Sequence, residues 1–309
     1  MKFLKPKFWD KNHISVYSIL LLPFSWLILL INKLRSLLIK RNKFSIPVIC
    51  VGNIYLGGTG KTPISIEIKK ILDNLNKKSV FIKKKYIAYK DEINLLKKYG
   101  EVLEKSKRVE ALKIAVKNNY EAAILDDGFQ DFSIKKDISI VCFNSKQFIG
   151  NGFTIPSGPL RETLSSLDRA NFVLINGKLD INLEKKILEK NKFIKIFYFK
   201  YKPLNLEKFK DKKVFCFAGI GNPKNFFELL KESGVNLSNE LSFPDHHNYS
   251  NNEILNLINK AKESNSILLT TEKDYLRLST KNRENINYLK IDVEIENKNE
   301  FIKEVSKLI

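Results

Sequence analysis

A chain of 309 residues suffices for one large domain or two medium ones, and its 43% hydrophobic and 28% charged residues describe folded material rather than a disordered tail. Fifty-four Lys and Arg against 34 Asp and Glu leave a charge of +20, so the expected partner is anionic: nucleic acid, phospholipid or a phosphorylated substrate. Cys50, Cys142 and Cys216 stand far apart in apolar runs without a C-x-x-C spacing, which argues against a disulfide framework or a zinc site.

The first predicted element covers residues 14–31, ISVYSILLLPFSWLILLI, which pass without a charge. As a helix this stretch is about 27 Å long, close to the thickness of a bilayer's hydrocarbon core. Lys2, Lys5, Lys7 and Lys11 precede it, and Lys33, Arg35, Lys40, Arg41 and Lys43 follow, which suits anionic membrane lipids. A signal peptide would need a small-residue cleavage site, and none follows. Residues 1–40 therefore read as a membrane anchor; Pro23 and the serines leave open whether it crosses the bilayer or lies in the interface.

Beyond the anchor, short apolar runs alternate with amphipathic ones. Strands are predicted over 47–51, 79–82, 122–125, 138–143, 172–175, 193–199, 214–218, 267–270 and 288–293, and helices over 62–75, 108–117, 183–190, 224–232 and 251–263. This alternation predicts α/β layers with a mainly parallel sheet. Around 200–213 the chain turns polar and carries Pro203, a candidate junction. The predicted organisation is an anchor over 1–40, a first α/β domain over 41–200, a linker over 201–213 and a smaller α/β domain over 214–309.

Between the strand at 47–51 and the helix at 62–75 lies VGNIYLGGTGKTP. Gly57, Gly58, Thr59, Gly60, Lys61 and Thr62 form a phosphate-loop core whose backbone amides can cradle phosphate oxygens. Lys61 would reach the phosphates and Thr62 would ligate Mg²⁺; Tyr55 stands where the strict pattern has glycine. The apolar run AAIL then delivers Asp126 and Asp127 to a strand's carboxyl end, where acidic side chains can hold Mg²⁺ or its waters.

Further along come KDE at 90–92, ILDDGFQD, GNGFTIPSGPLRE at 150–162, FAGIGNPKNFF at 217–227, FPDHH at 243–247 and TTEKD at 270–274. With the phosphate loop, and in this order, these motifs resemble the tetraacyldisaccharide 4′-kinase (lipid A 4′-kinase) family, whose loop also lacks glycine at the position of Tyr55. The resemblance implies transfer of phosphate from ATP to the 4′-hydroxyl of an acylated glucosamine disaccharide 1-phosphate, forming lipid IV-A in lipid A biosynthesis. It implies two α/β/α domains, the first P-loop NTPase-like, joined by a β linker with the active site in the cleft between them. It places the chain at the bacterial inner membrane with its catalytic domains on the cytoplasmic face. Residue by residue, Lys61 and Thr62 match the family's P-loop pair, with Lys61 also catalytic; Asp126 and Asp127 match its strand-end aspartates, associated with Mg²⁺ and, for Asp127, catalysis; and Gln130 matches the glutamine of that motif, a nucleotide-binding residue. Asp91 and His246 match a catalytic dyad, and Arg161 and Glu162 match an acceptor- or nucleotide-side element. A carboxylate such as Asp91 can take the proton of an attacking sugar hydroxyl, with His246 orienting it.

Before Asp91 the family usually has a Gly-rich Ser-Arg-Gly segment, whereas this chain reads FIKKKYIAYKDE. Lysines 83–85 are expected to meet phosphate or headgroup charge, or else to form a solvated basic face. A membrane-attached P-loop NTPase coupling hydrolysis to transport or assembly is the alternative, though it leaves the GPLRE and FPDHH segments without a task. Nucleic acid is not expected as a partner, because the basic residues are scattered and form no compact recognition motif. Nothing in the sequence signals an oligomeric state.

Overall fold

The computed structural model describes residues 6–10, 14–85 and 90–309; Lys2, Lys5 and Lys11 of the expected basic flank lie outside them. A three-ten turn at Lys7–Asp10 precedes helix α1 (Val16–Leu38), which Ser15 caps by accepting from the Ser18 amide. α1 turns apolar side chains outward, Tyr17, Leu20, Phe24 and Trp26 among them. Its protein-facing stripe is polar instead, with Ser18 and Ser25 buried two turns apart. Asn151 donates to the Ser18 hydroxyl at 3.0 Å. The Ser25 hydroxyl donates to the Thr154 carbonyl at 2.8 Å and accepts from the Ser157 amide at 3.1 Å. An apolar face outward and a polar stripe inward invert the pattern of a water-soluble helix.

The chain continues through β1 (Val48–Gly52), α2 (Lys61–Asn74), β2 (Ser79–Lys84), α3 (Lys90–Leu96), β3 (Val102–Lys105) and α4 (Arg108–Lys117). β4 (Ala122–Asp126), β5 (Ile138–Asn144), β6 (Phe172–Asn176), α5 (Ile181–Leu188) and β7 (Lys195–Pro203) follow. A second unit holds β8 (Lys213–Ala218), α6 (Pro223–Glu232), β9 (Asn236–Ser242), α7 (Asn251–Glu263), β10 (Ile267–Thr271), α8 (Glu272–Arg277), α9 (Thr280–Arg283) and β11 (Asn287–Leu289). The chain ends with β12 (Ile291–Ile295) and α10 (Lys298–Ser306).

Eight strands form the larger sheet in the order β12-β7-β6-β5-β1-β4-β2-β3, and four form the smaller in the order β11-β10-β8-β9. All pairings are parallel except β12 on β7. β1, β4 and β5 are buried at every residue because helices and loops cover both faces of the sheet, which is why they read as unbroken apolar runs. All three cysteines are free and buried in these strands or in β8.

Two expectations change. The single strand predicted over 288–293 is two strands, β11 and β12, parted at Lys290 and belonging to different sheets. The C-terminal unit therefore does not keep everything after residue 213: β12 and α10 return to the first sheet, where Phe301 packs edge-on against Phe172 and Phe197. The chain leaves that sheet at Pro203 and re-enters at Ile291, and these two residues are register partners. The two crossings between the units therefore leave from adjacent antiparallel strands, β7 and β12. β3 and β9, which the sequence pattern did not reveal, are edge strands without buried alternation.

Candidate active site

β1 and β4 are neighbours, and Val51 pairs with Asp126, so the acidic pair emerges beside the start of the glycine loop. The loop is held from within by Asn53, whose Nδ2 lies 2.6 Å from the Tyr55 carbonyl, 3.2 Å from that of Gly57 and 2.8 Å from the Thr59 hydroxyl. Gly60 caps α2 at φ +91°, and a Cβ there would fall 2.7 Å from the Tyr201 hydroxyl. No side chain caps α2, which leaves its first amides and the positive end of its dipole for an anion. Tyr55 is fully buried, and its hydroxyl donates to Asp10 at 2.7 Å, which ties the loop to the turn ahead of α1.

Around this loop the expected residues converge. Thr62 Oγ1 donates to Asp126 Oδ2 at 3.3 Å, and Ser65 donates to Asp126 Oδ1 at 3.0 Å. Asp127, at φ +57°, turns its carboxylate to Arg161 at 2.8 Å and Lys61 at 3.7 Å. Burial works against that carboxylate's charge, yet the two cations hold it well below the usual carboxylate range. Arg161 also donates to Gln130 at 3.3 Å; Gln130 donates to the Asn53 carbonyl at 2.9 Å and to Glu162 at 3.1 Å, and Glu162 pairs with Arg169 at 2.7 Å. The donor set of Thr62, Asp126 and Asp127 fits Mg²⁺, which takes one or two carboxylates and otherwise keeps waters or phosphate oxygens.

The second unit closes on this site. A Cβ on Gly221 would lie 2.5 Å from the Gly58 amide nitrogen, so only bare backbone lets the two loops meet. Asp91 opens α3 and His246 stands in the turn after β9, and the two are joined with Nδ1 3.2 Å from Asp91 Oδ2. Two residues of α8 missed by sequence reasoning complete the junction. Arg277 donates to Asp91 through Nε at 2.9 Å and Nη2 at 2.6 Å, and through Nη1 to Asp274 and the Gly219 carbonyl, each at 2.7 Å. Lys273 bonds Glu92 at 2.9 Å. Their spacing of four places them on one helical face, a signal available in TTEKDYLR.

Lys83 corrects the expectation of a basic run facing phosphate or headgroups. It is buried, and its ammonium bonds Asp126 and Glu92. Residues 86–89 of the altered segment lie outside the described residues.

Burial alone would raise the Asp91 carboxyl, but His246, Lys273 and Arg277 hold it well below the ordinary range. Such a group contributes stability above its unfolded value and loses it as pH falls toward the folded one. Asp91→Asn should therefore lower the unfolding free energy by about 2–4 kcal/mol at neutral pH. The gap to the unmodified protein should begin to narrow below about pH 4 and shrink further as the pH falls, in denaturant titrations. A gap that stays constant with pH would contradict these ion pairs.

A family profile described as Tetraacyldisaccharide-1-P 4′-kinase matches residues 17–94 and 88–309. The chain is 45% identical to the tetraacyldisaccharide 4′-kinase of Pelagibacter ubique, over 100% of this chain and 99% of that one. It is 37% identical to that of Rickettsia canadensis, over 97% and 95% respectively. Its fold is similar to the crystal structure of "apo" form LpxK from Aquifex aeolicus in complex with ATP, with a TM-score of 0.71, 25% identity, and 94% and 99% of the two chains covered. A parallel sheet carrying the glycine loop and an acid–histidine pair closed over it belongs with these matches along the whole chain, and the protein is a member of the tetraacyldisaccharide 4′-kinase family.

Proposed function

We propose that this chain transfers the γ-phosphoryl group of ATP to the 4′-hydroxyl of an acylated glucosamine disaccharide 1-phosphate at a membrane surface. The observation that carries this reading is the meeting of two half-sites. The phosphate loop with Lys61, Thr62, Asp126 and Asp127 lies on one unit, and His246 reaches Asp91 from the other. The amides of the loop and Lys61 would bind the phosphates, and Thr62 and Asp126 would hold Mg²⁺, which when bound offsets charge on the phosphoryl oxygens. The acceptor oxygen forms its bond to the γ-phosphorus as the bond to ADP breaks, and its proton passes to the protein.

Geometry supports reversing the expected division of labour in the pair. The Asp91 side chain is 2% exposed, bonded by Arg277, and of depressed basicity, whereas the His246 side chain is 18% exposed. His246 then receives the proton, and Asp91 fixes its orientation. Arg161 and Gln130, linked to Asp127 and to the segment that grips α1, would face the headgroup end of the acceptor.

α1 would lie against the membrane interface, because its Ser18–Ser25 stripe is bonded to the domain while the remaining face is apolar. Anionic lipids would suit its basic flank, and the bacterial inner membrane, with both units on the cytoplasmic side, is the location this reading gives the chain. Vesicles containing the disaccharide 1-phosphate, incubated with protein and ATP–Mg²⁺, should yield a bisphosphorylated lipid. Protein lacking residues 1–40 should no longer sediment with them. ATP consumption without a phosphorylated lipid would favour a membrane-attached NTPase instead.

A further inference from the structure

Lys83 is the penultimate residue of β2, with a side chain 5% exposed. In the residue before it, Ile82 pairs in register with Leu125, so Lys83 stands beside Asp126 across the strands. Its Nζ bonds Asp126 Oδ2 and, at 2.6 Å, Glu92 Oε2. Asp126 is fully buried and the Glu92 side chain is 18% exposed. Without a cation between them, two carboxylates would confront each other where water hardly reaches, an arrangement that cannot keep both charged. Phosphoryl-transfer sites commonly meet this situation with a divalent ion. Here the chain itself supplies a cation on that carboxylate: Lys83 and Thr62 bond Asp126 Oδ2, and Ser65 bonds Oδ1.

We propose that Lys83 is a positioning residue that serves as an internal cation, bridging Asp126 beside the phosphate loop to Glu92 beside the acid–base pair. Glu92 is then shared with Lys273 of α8, itself 3.7 Å from Asp91, so charges alternate from Asp126 through Lys83, Glu92 and Lys273 to Asp91. This run crosses from one unit to the other, and Lys83 fixes its inner end. The role rests on the kinase reading for what the two ends do; the charge balance at Lys83 stands without it, so the test uses neither ATP nor lipid.

Full-length Lys83→Met, prepared with a chelator, should melt about 5–10 °C below the unmodified protein. About 5 mM Mn²⁺ should recover at least half of that loss. The same variant should deplete the free-ion Mn²⁺ resonance, because the bared carboxylates now take the ion. The unmodified protein and Lys83→Arg should keep the higher melting temperature in chelator alone and gain far less from Mn²⁺ than Lys83→Met does. The double variant Lys83→Met with Glu92→Gln should respond to Mn²⁺ no more than the unmodified protein. If Lys83→Met is recovered folded only with Mn²⁺, the proposal is supported. If it fails to fold even then, melts like the unmodified protein, or loses stability without gaining a Mn²⁺ response, the proposal is overturned. The vesicle assay on the unmodified protein decides the kinase reading separately.

Discussion

Lys61→Ala should lower the rate of phosphoryl transfer by about 10³-fold or more while leaving the fold intact. Lys61 is the first residue of α2, where alanine is an excellent helix former, so the helix itself loses nothing. What disappears is a partly buried ammonium 3.7 Å from the Asp127 carboxylate. Burial pushes that ammonium's pKa down, and the Asp127 carboxylate works against the fall. Arg161 remains on Asp127 in the variant, so the carboxylate is not left unpaired. Lys61→Arg should not restore the rate, because a planar guanidinium cannot replace a compact point charge within this loop. Initial rates with saturating acceptor, together with a far-UV spectrum of each variant, check both statements. If Lys61→Ala keeps more than about a tenth of the rate, the glycine loop is not where the transferred phosphate is held.

The parts of the site that could be read from the sequence share one property: their chemistry is local. Gly57 to Thr62 is legible because a left-handed backbone at Gly60 and an uncapped helix start leave a mark within a few residues. Asp126 and Asp127 are legible because β4 is wholly buried and then ends in acid. Lys83, Lys273 and Arg277 are not. Each acquires its role from a partner distant in the chain, Asp126 for the first and Asp91 for the last. Beside other lysines, Lys83 looks like a solvated face until β2 is paired with β4. The same limit applies to 288–293, where apolar spacing announces a strand but cannot reveal that Lys290 divides it between two sheets. Tyr55 breaks the strict loop pattern for a reason also lodged elsewhere, in its hydrogen bond to Asp10.

The closure of the two units leads to the second large effect. His246→Ala and Asp91→Asn should each lower kcat by about 10²-fold or more, and the double variant should be little worse than either single one. Residues that act as one unit lose their joint contribution once, and here Nδ1 of the ring rests on a carboxylate of the other unit at 3.2 Å. The two single variants should differ in what restores them. Added imidazole can enter the space left by His246→Ala and take the proton, so part of the rate should return with increasing imidazole concentration. Asp91→Asn keeps the ring but loses the group that orients it and the anion that Arg277 grips, so imidazole should do nothing there. Carboxylate rescue of an Asp91→Ala variant without imidazole rescue of His246→Ala would return the proton to Asp91. The preference for His246 rests on access: a sugar hydroxyl can approach the more exposed ring, whereas Asp91 is enclosed by Arg277, Lys273 and the ring itself.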